Sequence, residues 1–163
     1  MEQNLKQEGA KLKGFIVIDH FDNSGNLIES VETPNALTNV GFAEVAGLIN
    51  SDQSGSHTAF DYIAVGTGTT AATATDTTLV TEETENGLTR ASGTGTRVTE
   101  TVANDTSQIL KSFSCSGSVA VTESGVFNET GTDAGIMLCR QTFSAINVAD
   151  GDTLQITWKV TVA

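Results

Sequence analysis

The sequence predicts a mainly β domain, a jelly-roll-like β-sandwich with an N-terminal hairpin and one short helix. Three observations carry that prediction. Thr fills roughly one position in seven, Gly occurs 16 times and Pro once; Thr suits a pleated, half-buried surface and Gly supplies turns. The closing stretch TLQITWKVTVA alternates without a break. Leu154, Ile156, Trp158, Val160 and Val162 fall on one face, and Gln155, Thr157, Lys159 and Thr161 on the other. Turn residues recur at a spacing of roughly eight to twelve, the rhythm of short antiparallel strands. The 163 residues suit one domain with one core.

Residues 1–13 are polar and aperiodic, and Lys6, Lys11 and Lys13 hold three of the eight basic side chains. They read as an arm, either a frayed end or a segment that orders against a neighbouring subunit. Residues 14–163 read as one sandwich domain. Within it GFIVIDHF and NLIESV form a hairpin over 14–31, turned by Asp22-Asn23-Ser24-Gly25. Asp19, Asp22 and Asn26 do not make a calcium loop, because the Gly stands at the wrong offset and the distal Glu is missing.

Pro34 and Asn35 break the strand pattern, and residues 38–50 read as the helix, capped by Thr38 or Asn39. Val40, Ala43, Ala46 or Gly47, and Ile49 or Asn50 follow helical spacing and are expected to lie on the sheet. Gly41 and Gly47 each weaken the helix by about 1 kcal/mol against Ala, so a close approach to a strand is expected there.

A polar loop leads to residues 60–66, FDYIAVG, the predicted central strand. Tyr62 and Ala64 point one way and Ile63 and Val65 the other, apolar on both faces, as in a strand covered on two sides. The loop after it, rich in Gly, Thr and Ala, holds no larger aliphatic residue until Leu79. Its Gly66-Thr67-Gly68 lacks the third Gly, the following helix and the Lys-Ser/Thr pair of a phosphate loop. GTGTR at 93–97 is low complexity rather than a repeat unit.

Residues 88–102 read as a strand pair or a long edge strand, with Arg90 and Arg97 expected to pair with acids such as Glu82, Glu83 or Glu100. SQILKSFSC at 107–115 is the next strand. SVAVTESGVFN at 118–128 is another, with a bulge or bend expected at Gly125. Glu123 stands among apolar neighbours there and reads as a partnered structural carboxylate. IMLCRQTF reads as a buried strand, and Asp150-Gly151 as the turn of a second hairpin.

The formal net charge is -12, with 20 acidic residues against eight basic. No basic cluster exists to bind phosphate, so nucleic acid and anionic membrane are not expected partners. No apolar run approaches the ~18 residues of a membrane span, and the N-terminus has no apolar core of a signal peptide. Cys115 and Cys139 belong to no CxxC or Cys/His cluster, so no metal is expected. Buried free thiols are expected, with a cross-strand disulfide the alternative. His20 and His57 lie apart in the sequence, and no G-x-S-x-G elbow is present. No catalytic residue, cofactor or enzymatic activity is therefore predicted.

Four segments, NALTNVGFAEVAGLIN, YIAVGTGTTAATATDTTLVTEE, VTESGVFNETG and MLCRQTFSAINVADGDTLQITWKV, resemble small virion structural proteins of tailed bacteriophages, of the head-decoration, collar or tail-fibre type. The resemblance runs from about residue 14 to the end. Asp76, Leu79 and Glu82 after the A-x-G-T-G-T-T loop are among its strongest points. It implies a structural role on the exterior of a capsid, neck or tail, with other virion proteins and copies of itself as partners. It also implies a virion location after synthesis in the host cytoplasm. The alternative it leaves is a receptor- or glycan-binding module of a tail fibre. The glycine or heptad repeats of a fibre shaft are absent. Sugar sites favour exposed aromatics, whereas Trp158 and Tyr62 fall on strand faces that read as buried.

Overall fold

The computed structural model describes residues 11–50 and 58–162. Among them are β1 (Leu12–Phe21), β2 (Leu27–Pro34), β3 (Ala36–Leu37), α1 (Asn39–Asn50), β4 (Tyr62–Gly66), β5 (Ala91–Ser92), β6 (Thr94–Val98), β7 (Thr106–Ser114), β8 (Val119–Phe127), β9 (Met137–Val148) and β10 (Thr153–Val162). They form two antiparallel five-stranded sheets, ordered β2-β1-β10-β7-β6 and β3-β9-β8-β4-β5. The two sheets make a β-sandwich, as the composition and alternation predict.

The core lies between the sheets because alternation sends one face of each strand inward. In the first sheet Ile16 stands opposite Trp158, and Ile18 opposite Ile156. All four are buried, with Leu154, Ile109 and Phe113 beside them. The second sheet contributes Ile63, Val65, Val121, Val126 and Ile146. The Trp158 indole N–H donates to Ser124 Oγ at 3.1 Å, and the Ser124 hydroxyl donates to the Ala64 carbonyl at 2.8 Å. One relay thus satisfies the buried indole and ties the two sheets together.

Several local expectations change in this setting. The hairpin is built into the first sheet: β1 pairs with β10 along its length and is an interior strand. The expected arm ends earlier than residue 13, since Leu12 and Lys13 already pair with Val162 and Thr161; residues 1–10 lie outside the described residues. The Asp150-Gly151 turn forms, with the Asp152 amide donating to the Ala149 carbonyl at 3.1 Å. It does not close a hairpin, because β9 and β10 belong to different sheets. The 88–102 stretch is an edge strand that changes sheets at Gly93, pairing as β5 with β4 and as β6 with β7.

Gly125 is no bulge. It pairs in register with Ala64 and Arg140, and the register shifts fall on either side, at Val121/Glu123 and Val126/Phe127. A Cβ at Gly125 would lie 3.1 Å from the Leu79 side chain and 3.2 Å from both the Cys139 carbonyl oxygen and the Phe127 ring. The glycine serves packing of the outer face rather than a bend. Cys115 and Cys139 are buried free thiols. Burial, with the nearby Asp152 charge, pushes the Cys115 thiol up to about 11, and burial raises that of Cys139 as well.

Thr38 caps α1: the Gly41 amide donates to its Oγ1 at 3.0 Å. The helix face expected on the sheet is instead the outer one. Ala43 and Ala46 are exposed, Val40 is 36% and Ile49 81% exposed, while Gly41, Glu44 and Gly47 are buried. Apolar side chains occur all round this helix, so periodicity alone does not choose a side. Close backbone approach does, since a Cβ at Gly41 would stand 2.6 Å from the Leu138 carbonyl oxygen.

Truncation of the core indole tests this packing. Trp158→Ala should destabilise the fold by ~3–5 kcal/mol, read by denaturant unfolding. Native tryptophan fluorescence should be that of a dry site; emission already like that of a solvated indole would contradict the burial.

Candidate functional site

The richest constellation of charged groups lies on the outer face of the second sheet, beneath residues 67–83. The register shift in β8 lets consecutive side chains reach the same outer residue. Thr122 Oγ1 donates to the Gly68 carbonyl at 2.9 Å, and the Gly68 amide donates to Glu123 Oε1 at 3.0 Å. Glu123 is fully buried. It also accepts the Thr81 amide at 2.8 Å, the Val80 amide at 3.1 Å and Arg140 Nε at 2.8 Å. The sequence reading of Glu123 as a partnered carboxylate holds.

Its partner Arg140, on β9, is equally buried and has every branch engaged. One terminal nitrogen bonds Asp76 at 2.8 Å, and the other bonds Glu123 at 2.7 Å and the Thr70 carbonyl at 2.9 Å. Burial pushes the Asp76 carboxyl up. Hydrogen bonds from the Thr73 amide and hydroxyl and from Arg140, with the guanidinium charge, outweigh that and hold it below the ordinary range. Arg140 is the residue sequence reading missed. The signal was present, because an arginine inside an apolar strand needs a buried acid, and Glu123 is the acid inside the neighbouring apolar strand.

A second arginine seals the other end of the loop. Arg90 binds Glu82 through two parallel bonds of 2.9 and 2.6 Å, donates to the Glu129 and Ala134 carbonyls, and lies 3.6 Å from the Phe127 ring centroid. Of the expected partners of Arg90, Glu82 is the one it takes. Glu100 pairs with Lys159 at 2.8 Å, and Arg97 makes no ion pair among the described residues. Under this clamp Ala64, Leu79, Phe127 and Met137 form a small second core with Tyr62 packed against it. That accounts for the two apolar faces of β4.

His57 lies outside the described residues. His20 is buried, its Nε2 2.8 Å from Asp152 Oδ2 and its Nδ1 3.5 Å from Glu29 Oε1. The hydrogen bonds from His20 and from the Ala149 amide hold the Asp152 carboxyl below the ordinary range. Asp22 accepts the Ser24 and Asn26 amides and Asp19 accepts the Ser30 hydroxyl, so both serve their hairpin. Gly66-Thr67-Gly68 starts the clamped loop. Among the described residues no group of three His, Cys, Asp or Glu side chains is placed to hold a metal ion. None of the described helices is long and apolar enough to cross a membrane.

The open surface lies elsewhere, around α1. A cleft of about 650 Å³ runs between Leu12, Phe15, Pro34, Leu37 and Phe42. A second, of about 670 Å³, opens between Val45, Leu48, Phe60, Ile109, Trp158 and Val160. Beside them α1 presents Phe42 at 45% and Ile49 at 81% exposure. Its one charged residue, Glu44, is buried and accepts the Thr58 amide at 3.1 Å.

Fold and site together define an antiparallel β-sandwich sealed on one face by a charge-locked loop, with an apolar helix outside whose exposed face carries no charge. Comparison with protein-family models, curated proteins and solved structures finds no match for the chain.

The clamp is testable by breaking it. Arg140→Met leaves Glu123 buried without its counter-charge and should cost ~3–5 kcal/mol. Adding Glu123→Gln should recover part of that loss in denaturant unfolding; strictly additive losses would show that the pair is not coupled. Acid tests the carboxylates. Asp76 and Asp152 lie below their ordinary 3.8 in the folded protein. Their stabilisation is therefore complete above about 3.8 and is lost as pH falls through the lower folded value. Asp152→Asn should flatten the acid limb of stability against pH, and an unchanged limb would remove Asp152 from the account.

Proposed function

We propose that the protein is a small structural component of a tailed-bacteriophage virion, packing in many copies on the exterior of the capsid, neck or tail as a decoration or accessory protein. The carrying observation is the uncharged, exposed apolar ridge of α1, with two clefts beside it that share Leu12, on a chain whose net charge is -12. A contiguous exposed apolar surface of this kind is what a protein partner covers. The resemblance of four segments to small virion proteins supports the same reading. So does the use of these acids: Glu123, Glu82 and Asp76 are bound to arginines or backbone amides, leaving them little capacity for a reaction.

The glycan-binding alternative asks for exposed aromatic faces. Trp158 is 1% exposed and Tyr62 is half-buried, and Phe42 is the exposed aromatic among the described residues. The structural reading is therefore preferred. Purified particles analysed by quantitative mass spectrometry should contain the protein at a fixed, symmetric copy number. Its absence from particles would sink the proposal, and saturable binding of a surface glycan to the isolated protein would favour the alternative.

A further inference from the structure

We infer that the outer face of α1 is a two-fold interface between copies of this chain, made by antiparallel packing of α1 against α1. The inference deepens the assembly reading above and rests on it. Four observations identify the occupant as a second copy.

First, the pattern along the helix is self-complementary. Ala46 stands at the middle of the exposed face, with Phe42 and Ala43 a turn before it and Ile49 a turn after it. An antiparallel two-fold through Ala46 brings two small side chains to the crossing point and sets Phe42 against Ile49 of the partner subunit. The reciprocal contact forms at the same time, as an isologous interface requires. Small residues at the crossing allow interaxial distances of ~8 Å, the close end of helix packing.

Second, shape agrees. Clefts of about 650 and 670 Å³ border the ridge of α1 on its Phe42, Val45 and Leu48 side and share Leu12. The ridge stands proud of these clefts, so a second helix can reach it.

Third, charge selects this surface. Two copies at -12 each repel wherever their acids approach. The exposed face of α1 carries no acid, because Glu44 is turned inward. The helix also has no acidic residue in its first turn and no basic residue in its last. Its dipole is left uncompensated by charged side chains, and an antiparallel neighbour supplies the opposite end at each terminus.

Fourth, the rest of the chain is a poor cover. Residues 1–10 and 51–57 offer Met1, Leu5 and Ala10 as their apolar side chains.

The test uses the full chain. In sedimentation equilibrium the wild type should form a dimer whose dissociation constant falls as salt rises, because screening removes repulsion between acidic copies. Ala46→Glu should raise that constant at least tenfold while the far-ultraviolet spectrum, and the unfolding midpoint measured where both proteins are monomeric, stay unchanged. Ala46→Cys should oxidise to a disulfide-linked dimer at least tenfold faster than Ile28→Cys, a control on exposed β2; the native thiols are buried and do not compete. A protein that stays monomeric at 100 micromolar in ~0.5 M salt (short Debye length) overturns the inference. So does self-association that Ala46→Glu leaves intact, or equal oxidation rates at the two cysteines. The two proposals fail separately. Dimers of a protein missing from particles sink the virion reading, and wild-type particle loading with none of these effects sinks the interface alone.

Discussion

The contact between Glu123 and Arg140 is the constraint on which the outer half of the molecule depends. Both side chains are buried, and two bare charges there would cost several kcal/mol each in lost hydration. The fold satisfies them with bonds that only residues 67–83 can supply: the amides of Gly68, Val80 and Thr81, the Thr70 carbonyl and the Asp76 carboxylate. The loop is therefore not an optional covering. Without it the pair would be an unsatisfied charge cluster on the sheet. With it, the loop becomes the roof over Leu79, Phe127 and Met137. Consequences reach the helix, since the Ala74 carbonyl accepts the Asn39 amide at 2.8 Å, at the first residue of α1. The end of the helix that carries Phe42 is thus fixed by a chain of bonds that begins at a buried carboxylate.

Elements whose environment is one-sided were legible in the sequence. The final strand alternates strictly, and the burial of Leu154, Ile156 and Trp158 follows from that pattern, although Val162 is exposed at the strand end and Thr157 and Thr161 of the other face are buried. Elements with apolar residues on every side were not. α1 could present either face, and the choice rests on where the backbone must approach Leu138, which no residue pattern encodes. The turn at Asp150-Gly151 shows the same limit. Turn chemistry specifies a reversal of direction, but whether the strands then pair or part between two sheets is a tertiary decision. Gly125 could be recognised as special, though not as a close contact rather than a bend. The clamp was half legible. Glu123 stood out as an acid in an apolar strand, while Arg140 was absorbed into a stretch read simply as buried.

Spending arginines inside has a consequence for the outside. Arg90 and Arg140 are two of only eight basic side chains, and both are buried against acids and carbonyls. The exterior keeps Lys159 beside Glu100 and few other cations to offset its carboxylates. Such a surface resists non-specific association, because most approaches of two copies bring like charges together. It also makes any surviving contact specific. A patch that lacks acids is where apolar burial proceeds without that penalty, and turning Glu44 inward toward Thr58 clears α1 of its one charge. Charge buried for stability and charge withheld from the helix thus act together, and they leave the ridge of α1 as an exposed apolar surface free of acids.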